Sequence, residues 1–144
     1  MTTPDTTAVT TLLDDLDAQC ADYQAMYREG VKQRDCLRQD DLTGLHDASE
    51  RIRGLMDQVR LRQRRLPADL SQLEKQETEI ATRIGALRQL IRSVLDVRDQ
   101  SENAAHVLLE ETRRQLRQAD TGRRASRRYQ QPSVQDARFV DGIR

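Results

Sequence analysis

The chain has 144 residues, of which 33% are charged, 36% hydrophobic and 3% aromatic. So few aromatics leave little material for a thick core and suit long helices joined along a narrow buried seam. The 24 basic and 24 acidic residues cancel, which argues against general nucleic-acid binding, where a basic surplus is expected.

The first seven residues, Met-Thr-Thr-Pro-Asp-Thr-Thr, form a polar lead with no basic and apolar signal pattern. No later apolar run approaches a membrane span, so the expected compartment is the cytoplasm. Asp5 or Thr6 is placed to cap a first helix over residues 7–38. Val9, Leu13, Leu16, Cys20, Tyr23, Tyr27, Gly30, Arg34 and Leu37 recur there in steps of four and three, a heptad seam with Leu12 and Met26 beside it. Gly30 is the weak point of that helix, costing about 1 kcal/mol relative to alanine. Cys20 and Cys36 lie about 24 Å apart on a continuous helix, too far for a disulfide within the chain.

Gln39-Asp40-Asp41 is the first break, with Asp40 or Asp41 able to cap the next helix. Helix two is expected over residues 42–65, with its seam at Leu42, Leu45, Ser49, Ile52, Met56, Val59 and Leu66. The short connection makes helices one and two antiparallel neighbours. Pro67 marks the second break, and Ser71 with Glu74 reads as a capping box restarting the chain.

The third helix is the longest periodic stretch, from Leu70 to about Ala119. Leu73, Ile80, Ile84, Leu87, Ile91, Val94 and Leu95 share one face. A polar patch follows at Arg98-Asp99-Gln100-Ser101-Glu102-Asn103, and the same heptad phase resumes at Ala105, Leu109, Thr112 and Leu116. The unbroken phase favours one continuous helix; a break near 98–102 would fold the remainder back as a fourth helix. Gly122 is the expected stop. From there to the end six arginines stand against Asp136 and Asp141, a basic tail with Tyr129 and Phe139 as isolated aromatics. The expected fold is therefore all-α: an antiparallel, coiled-coil-like bundle of three long helices over 1–121 and a flexible basic tail over 122–144.

No catalytic constellation is evident. His46 and His106 fall on different helices without a ligand or base at suitable spacing, the cysteines do not form a CxxC pair, and no glycine-rich loop is present to cradle phosphate. The expectation is a non-enzymatic protein with no metal and no cofactor. What remains is interaction through helix faces. Ala105, Leu108, Leu109, Thr112 and Leu116 present an amphipathic stripe on which a partner helix can dock, or through which the chain can dimerise.

Several stretches resemble the FlgN-type flagellar export chaperones: Leu16-x-x-Gln19-x-x-x-Tyr23, Gln33-Arg34-x-x-Leu37, Asp41-Leu42-x-x-Leu45, Ile52-x-x-Leu55-Met56, the break near residue 67, Asn103 in the third helix and the tail tyrosine Tyr129. The resemblance spans residues 12–129. It departs from the family's pattern in its arginine density and in having no glycine closely after Tyr129. It implies a cytoplasmic chaperone that binds the C-terminal amphipathic helices of hook–filament junction (hook-associated) proteins, prevents premature polymerisation and delivers them to the export gate. By the same resemblance Ala105, Leu108, Leu109, Thr112 and Leu116 form the client face, and Tyr129 docks the gate. The alternatives are a structural dimeric coiled-coil adaptor, such as an export-ATPase-associated stalk protein, and a nucleic-acid-associated protein acting through its arginines.

Overall fold

The computed structural model describes residues 6–130. They form four helices and no strand: α1 (Thr6–Arg38), α2 (Leu42–Gln63), α3 (Leu70–Gln76) and α4 (Thr78–Gln130). The chain divides after Ala105 into two units. The first contains α1, α2, α3 and the opening half of α4. Asp5, Phe139 and the tail from residue 131 onward, all given parts in the sequence reading, lie outside the described residues.

Within the first unit α1 is the shared partner of two helices. Asp22 binds Arg62 (2.9 Å), Glu29 pairs with Arg51 (3.5 Å) and Gln33 donates to Ser49 (3.1 Å). Residue numbers therefore fall along α2 as they rise along α1, and the pair is antiparallel. Asp17 binds Arg83 (2.9 Å), Gly30 meets Val97, and Arg34 donates to Gln100 (2.7 Å). Here the numbers rise together, so α1 and α4 run parallel. The core at one end joins Leu12 and Leu16 of α1 to Ile80 and Ile84 of α4, with Leu66, Leu70 and Leu73 closing over it. A buried leucine or isoleucine contributes about 1.5–3 kcal/mol, so this cluster is the main apolar anchor of the unit.

The α1–α2 turn is built by two aspartates with different tasks. Asp40 takes a positive φ of 56°, and the Asp41 N–H donates back to the Cys36 carbonyl (2.8 Å). That is a Schellman stop with aspartate where glycine is usual. Asp41 then caps α2, its Oδ1 accepting from the Gly44 N–H at 2.9 Å.

Three local expectations are corrected. The stretch after Pro67 is interrupted at Glu77, which is extended (φ −117°, ψ 113°). No proline or glycine marks that break; on its N-terminal side Leu70 and Leu73 of α3 pack against the core. The Ser71–Glu74 capping box does not form: Asp69 holds the N-cap position, and Glu74 instead accepts from Arg88 at 3.1 Å. Gly122 does not stop the helix, which continues to Gln130. Its φ is not positive, and the Asp120–Arg124 pair (3.3 Å) spans it at helical spacing. The polar patch at 98–103 stays helical, as its heptad phase predicts.

The second unit is described by itself. Residues 106–130 are the closing half of α4. Leu116 is 61% exposed, Leu109 and Val107 are also exposed, and Tyr129 is 93% exposed.

Candidate functional site: an apolar groove in the first unit

The wide buried face of α1 sets the site. Leu12, Leu16, Gln19, Asp22, Met26 and Gly30 are its buried positions; Leu16 and Gly30 belong to the predicted seam and Leu12 and Met26 to its flank, whereas the seam's Tyr27 is exposed. The seam prediction assumes one partner; α1 has two, and its most buried line falls between them. Gly30 sits where Val97 of α4 leaves no room for a Cβ, which explains a glycine that helix propensity alone disfavours.

Above this line lies a groove of 840 Å³. Tyr23, Met26, Gly30, Gln33 and Leu37 of α1 line it. So do Leu45, Ser49, Ile52, Met56 and Val59 of α2, and Ile91, Val94, Leu95, Val97, Ser101 and Ala105 of α4. Met56 is 43% exposed and Leu95 49% exposed, so the apolar lining remains open to solvent. Along α2 the groove extends from Leu45 to Gln63, about 27 Å at 1.5 Å per residue. That is the length of a five-turn helix. Arg60, Arg98 and Glu102 supply the charge at its edges, and Arg98 pairs with Glu102 at 3.5 Å.

The α4 wall uses two adjacent stripes. Ile80, Ile84, Val97 and Ser101 are buried. The heptad line Ile91, Leu95, Arg98, Glu102 and Ala105 lines the groove beside them, and Val97 and Ser101 border the groove as well. Ser101 belongs to the polar patch, yet it is buried, and its Oγ has no hydrogen-bond partner among the described residues. The sequence signal available was its position, seven residues after Val94. Small size lets a polar residue occupy such a site.

No protein-family model, curated protein or solved structure matches the chain.

The groove offers shape and apolar area rather than reactive groups. Burial raises the Tyr23 hydroxyl pKa above its ordinary value, so it stays protonated at neutral pH. Neither histidine lines the groove, and among the described residues no group of three His, Cys, Asp or Glu could hold a metal ion. No described helix is long and apolar enough to cross a membrane. Of the residues expected to form a client face, Ala105 lines the groove. Leu108, Leu109, Thr112 and Leu116 belong to the second unit, where Thr112 turns its hydroxyl back to the Leu108 carbonyl at 2.8 Å. Tyr129 stands near the end of α4.

Proposed function

We propose that this protein is a non-enzymatic, cytoplasmic export chaperone of the FlgN type, which holds an amphipathic helix of its client in the groove of the first unit. The observation that carries the proposal is the groove itself: three helices line an open, predominantly apolar trough of helical length. An amphipathic helix laid there places its i, i+3, i+4, i+7 residues against Met26, Ile52, Met56, Val94 and Leu95 and completes a four-helix arrangement. The resemblance to the chaperone family supplies the client class, the C-terminal helices of hook-associated proteins. Such termini self-associate when exposed, and covering their apolar face keeps them apart until the export gate takes them. The exposed Tyr129 is the docking residue for the gate on this reading.

The resemblance places the client on Leu108, Leu109, Thr112 and Leu116, whereas the groove is lined by apolar side chains of three helices; Ala105 is common to both. Calorimetry with a C-terminal hook-associated peptide separates them. Met56→Asp with Leu95→Asp abolishes one-to-one binding, and Leu108→Asp with Leu116→Asp leaves it intact. The reverse pattern removes the groove assignment, and no binding by the unaltered chain removes the chaperone reading. Normal secretion by Tyr129→Ala removes the gate-docking role.

A further inference from the structure

Residues 106–130, the closing half of α4, have seven arginines against three acidic residues, a surplus of four positive charges. Glu111 pairs with Arg114 (3.6 Å) and Asp120 with Arg124 (3.3 Å). Arg113, Arg117, Arg123, Arg127 and Arg128 have no carboxylate partner among the described residues. Every side chain from His106 to Tyr129 is exposed except the half-buried Leu108. We propose that this helix lies flat on an anionic lipid surface, with its leucines against the acyl chains and its arginines at the headgroup phosphates. It uses no residue of the groove, so it goes beyond the chaperone reading and does not rest on it.

The distribution of side chains round the helix leads to this partner. At about 100° per residue, Leu108, Leu109, Thr112, Leu116 and Ala119 fall within an arc of about 100°. Arg113, Arg117, Arg124 and Arg128 fall in a neighbouring arc of about 60°. Beyond Ala119 the apolar arc itself passes to Arg123 and Arg127. A helix that is basic on one face and apolar on the next is suited to the boundary between headgroups and acyl chains. No described helix is long and apolar enough to cross a membrane, so the contact is with the surface.

Charge selects an anionic partner, and the leucines select among anionic partners. A partner helix needs an apolar line that continues, whereas here Arg123 and Arg127 interrupt it. A lipid surface accepts the change, because an arginine stem lies along apolar surface while its guanidinium reaches outward to phosphate. A nucleic acid matches the arginines but gives Leu109 and Leu116, both exposed, nothing to bury against a phosphodiester backbone. Tyr129 is the one aromatic of residues 106–130, too few for a platform on which successive bases stack.

Flotation of the full chain with vesicles tests the contact. The expected result is binding to vesicles of equal parts phosphatidylglycerol and phosphatidylcholine, none to phosphatidylcholine alone, and release as salt rises from about 0.05 to about 0.5 M. Arg113→Gln with Arg117→Gln lowers the partition about 30-fold, and Leu109→Ser with Leu116→Ser lowers it about tenfold, with helical circular dichroism unchanged in both. In a Cys20→Ser, Cys36→Ser background, an environment-sensitive dye on Leu116→Cys shifts to the blue on the anionic vesicles. The same dye on Thr121→Cys, which falls on the opposite side of the helix, keeps its emission in water. Absence of flotation at low salt, equal binding to neutral vesicles, or two dyes that respond alike overturns the proposal. So does a duplex or single-stranded oligonucleotide that binds more tightly than the vesicles and is indifferent to the serine substitutions, since the arginines alone would then account for the helix. Calorimetry with the client peptide is unaffected by any of these results, so the chaperone reading stands or falls separately.

Discussion

Gly30 and Val97 meet at the close approach of α1 and α4: a Cβ on Gly30 would lie 2.7 Å from Val97 Cγ1. A valine methyl has no freedom to swing aside without moving its whole side chain. Gly30→Ala gains about 1 kcal/mol of helix propensity, but overpacking costs about 1–3 kcal/mol, so urea denaturation is expected to show net destabilisation. Gly85 has open space where its Cβ would be, and Gly85→Ala is expected to stabilise by up to about 1 kcal/mol. Val97→Ala in the Gly30→Ala background recovers part of the loss; simple additivity of the two substitutions would show that the contact is not responsible.

Asp40 supplies a second test of backbone reasoning. It holds φ 56° at the end of α1, a region in which glycine is at ease and other residues are strained by about 1 kcal/mol or more. Asp40→Gly is expected to raise stability by several tenths of a kcal/mol, because relief of strain is opposed by the greater entropy of the unfolded chain. Asp41→Gly lowers it by removing the side-chain cap on Gly44. A thermal melt of each variant compares the two neighbours directly.

These aspartates show where sequence reading succeeds and where it stops. The α1–α2 turn is legible because Asp40-Asp41 follows a heptad run and capping is local chemistry. The bounds of α1 and α2 follow closely for that reason. The phase of the buried line on α1 is not legible, since it depends on how many helices touch that face; Met26 is buried and Tyr27 exposed only because α1 lies against both α2 and α4. Glu77 has no breaker chemistry, so its extended backbone answers to the packing of Leu70 and Leu73. The heptad line from Ile91 to Ala105 was visible in the sequence. That it borders an open groove, with Val97 and Ser101 taking the buried positions, required the third dimension.

The two cysteines give a pH test. Cys20 has its thiol pKa raised first by burial and then by Asp17, against an opposing effect of Arg83. Cys36 is raised by burial first and then by the Asp41 carboxylate, to which its thiol points at 3.8 Å. The fold therefore favours the protonated thiols. Stability from this preference is complete below the unfolded thiol pKa, about 8.5, and is lost as pH rises through the higher folded values. The urea midpoint should fall above about pH 8.5, and less so in Cys20→Ala with Cys36→Ala. Iodoacetamide at the same pH should label the folded chain more slowly than the urea-unfolded one, since the thiolate is the nucleophile; equal rates would refute the raised values.

Leu16 and Leu95 separate folding from binding. Leu16 is fully buried in the α1–α4 core, while Leu95 is 49% exposed on the groove wall. Leu16→Ala is expected to cost about 2–5 kcal/mol through lost contacts and the cavity left behind. Leu95→Ala should stay within about 1 kcal/mol, because half of its surface already meets water. An amphipathic client peptide at a hundred times its dissociation constant should add about 2.7 kcal/mol to the stability of the unaltered chain. Leu95→Asp with Met56→Asp should fold with unchanged helicity and gain nothing from the same peptide, because the substitutions put carboxylates where its apolar face must lie. Denaturation curves with and without peptide measure both quantities on one sample. If the peptide stabilises this variant as strongly as the unaltered chain, the groove is not where the helix binds.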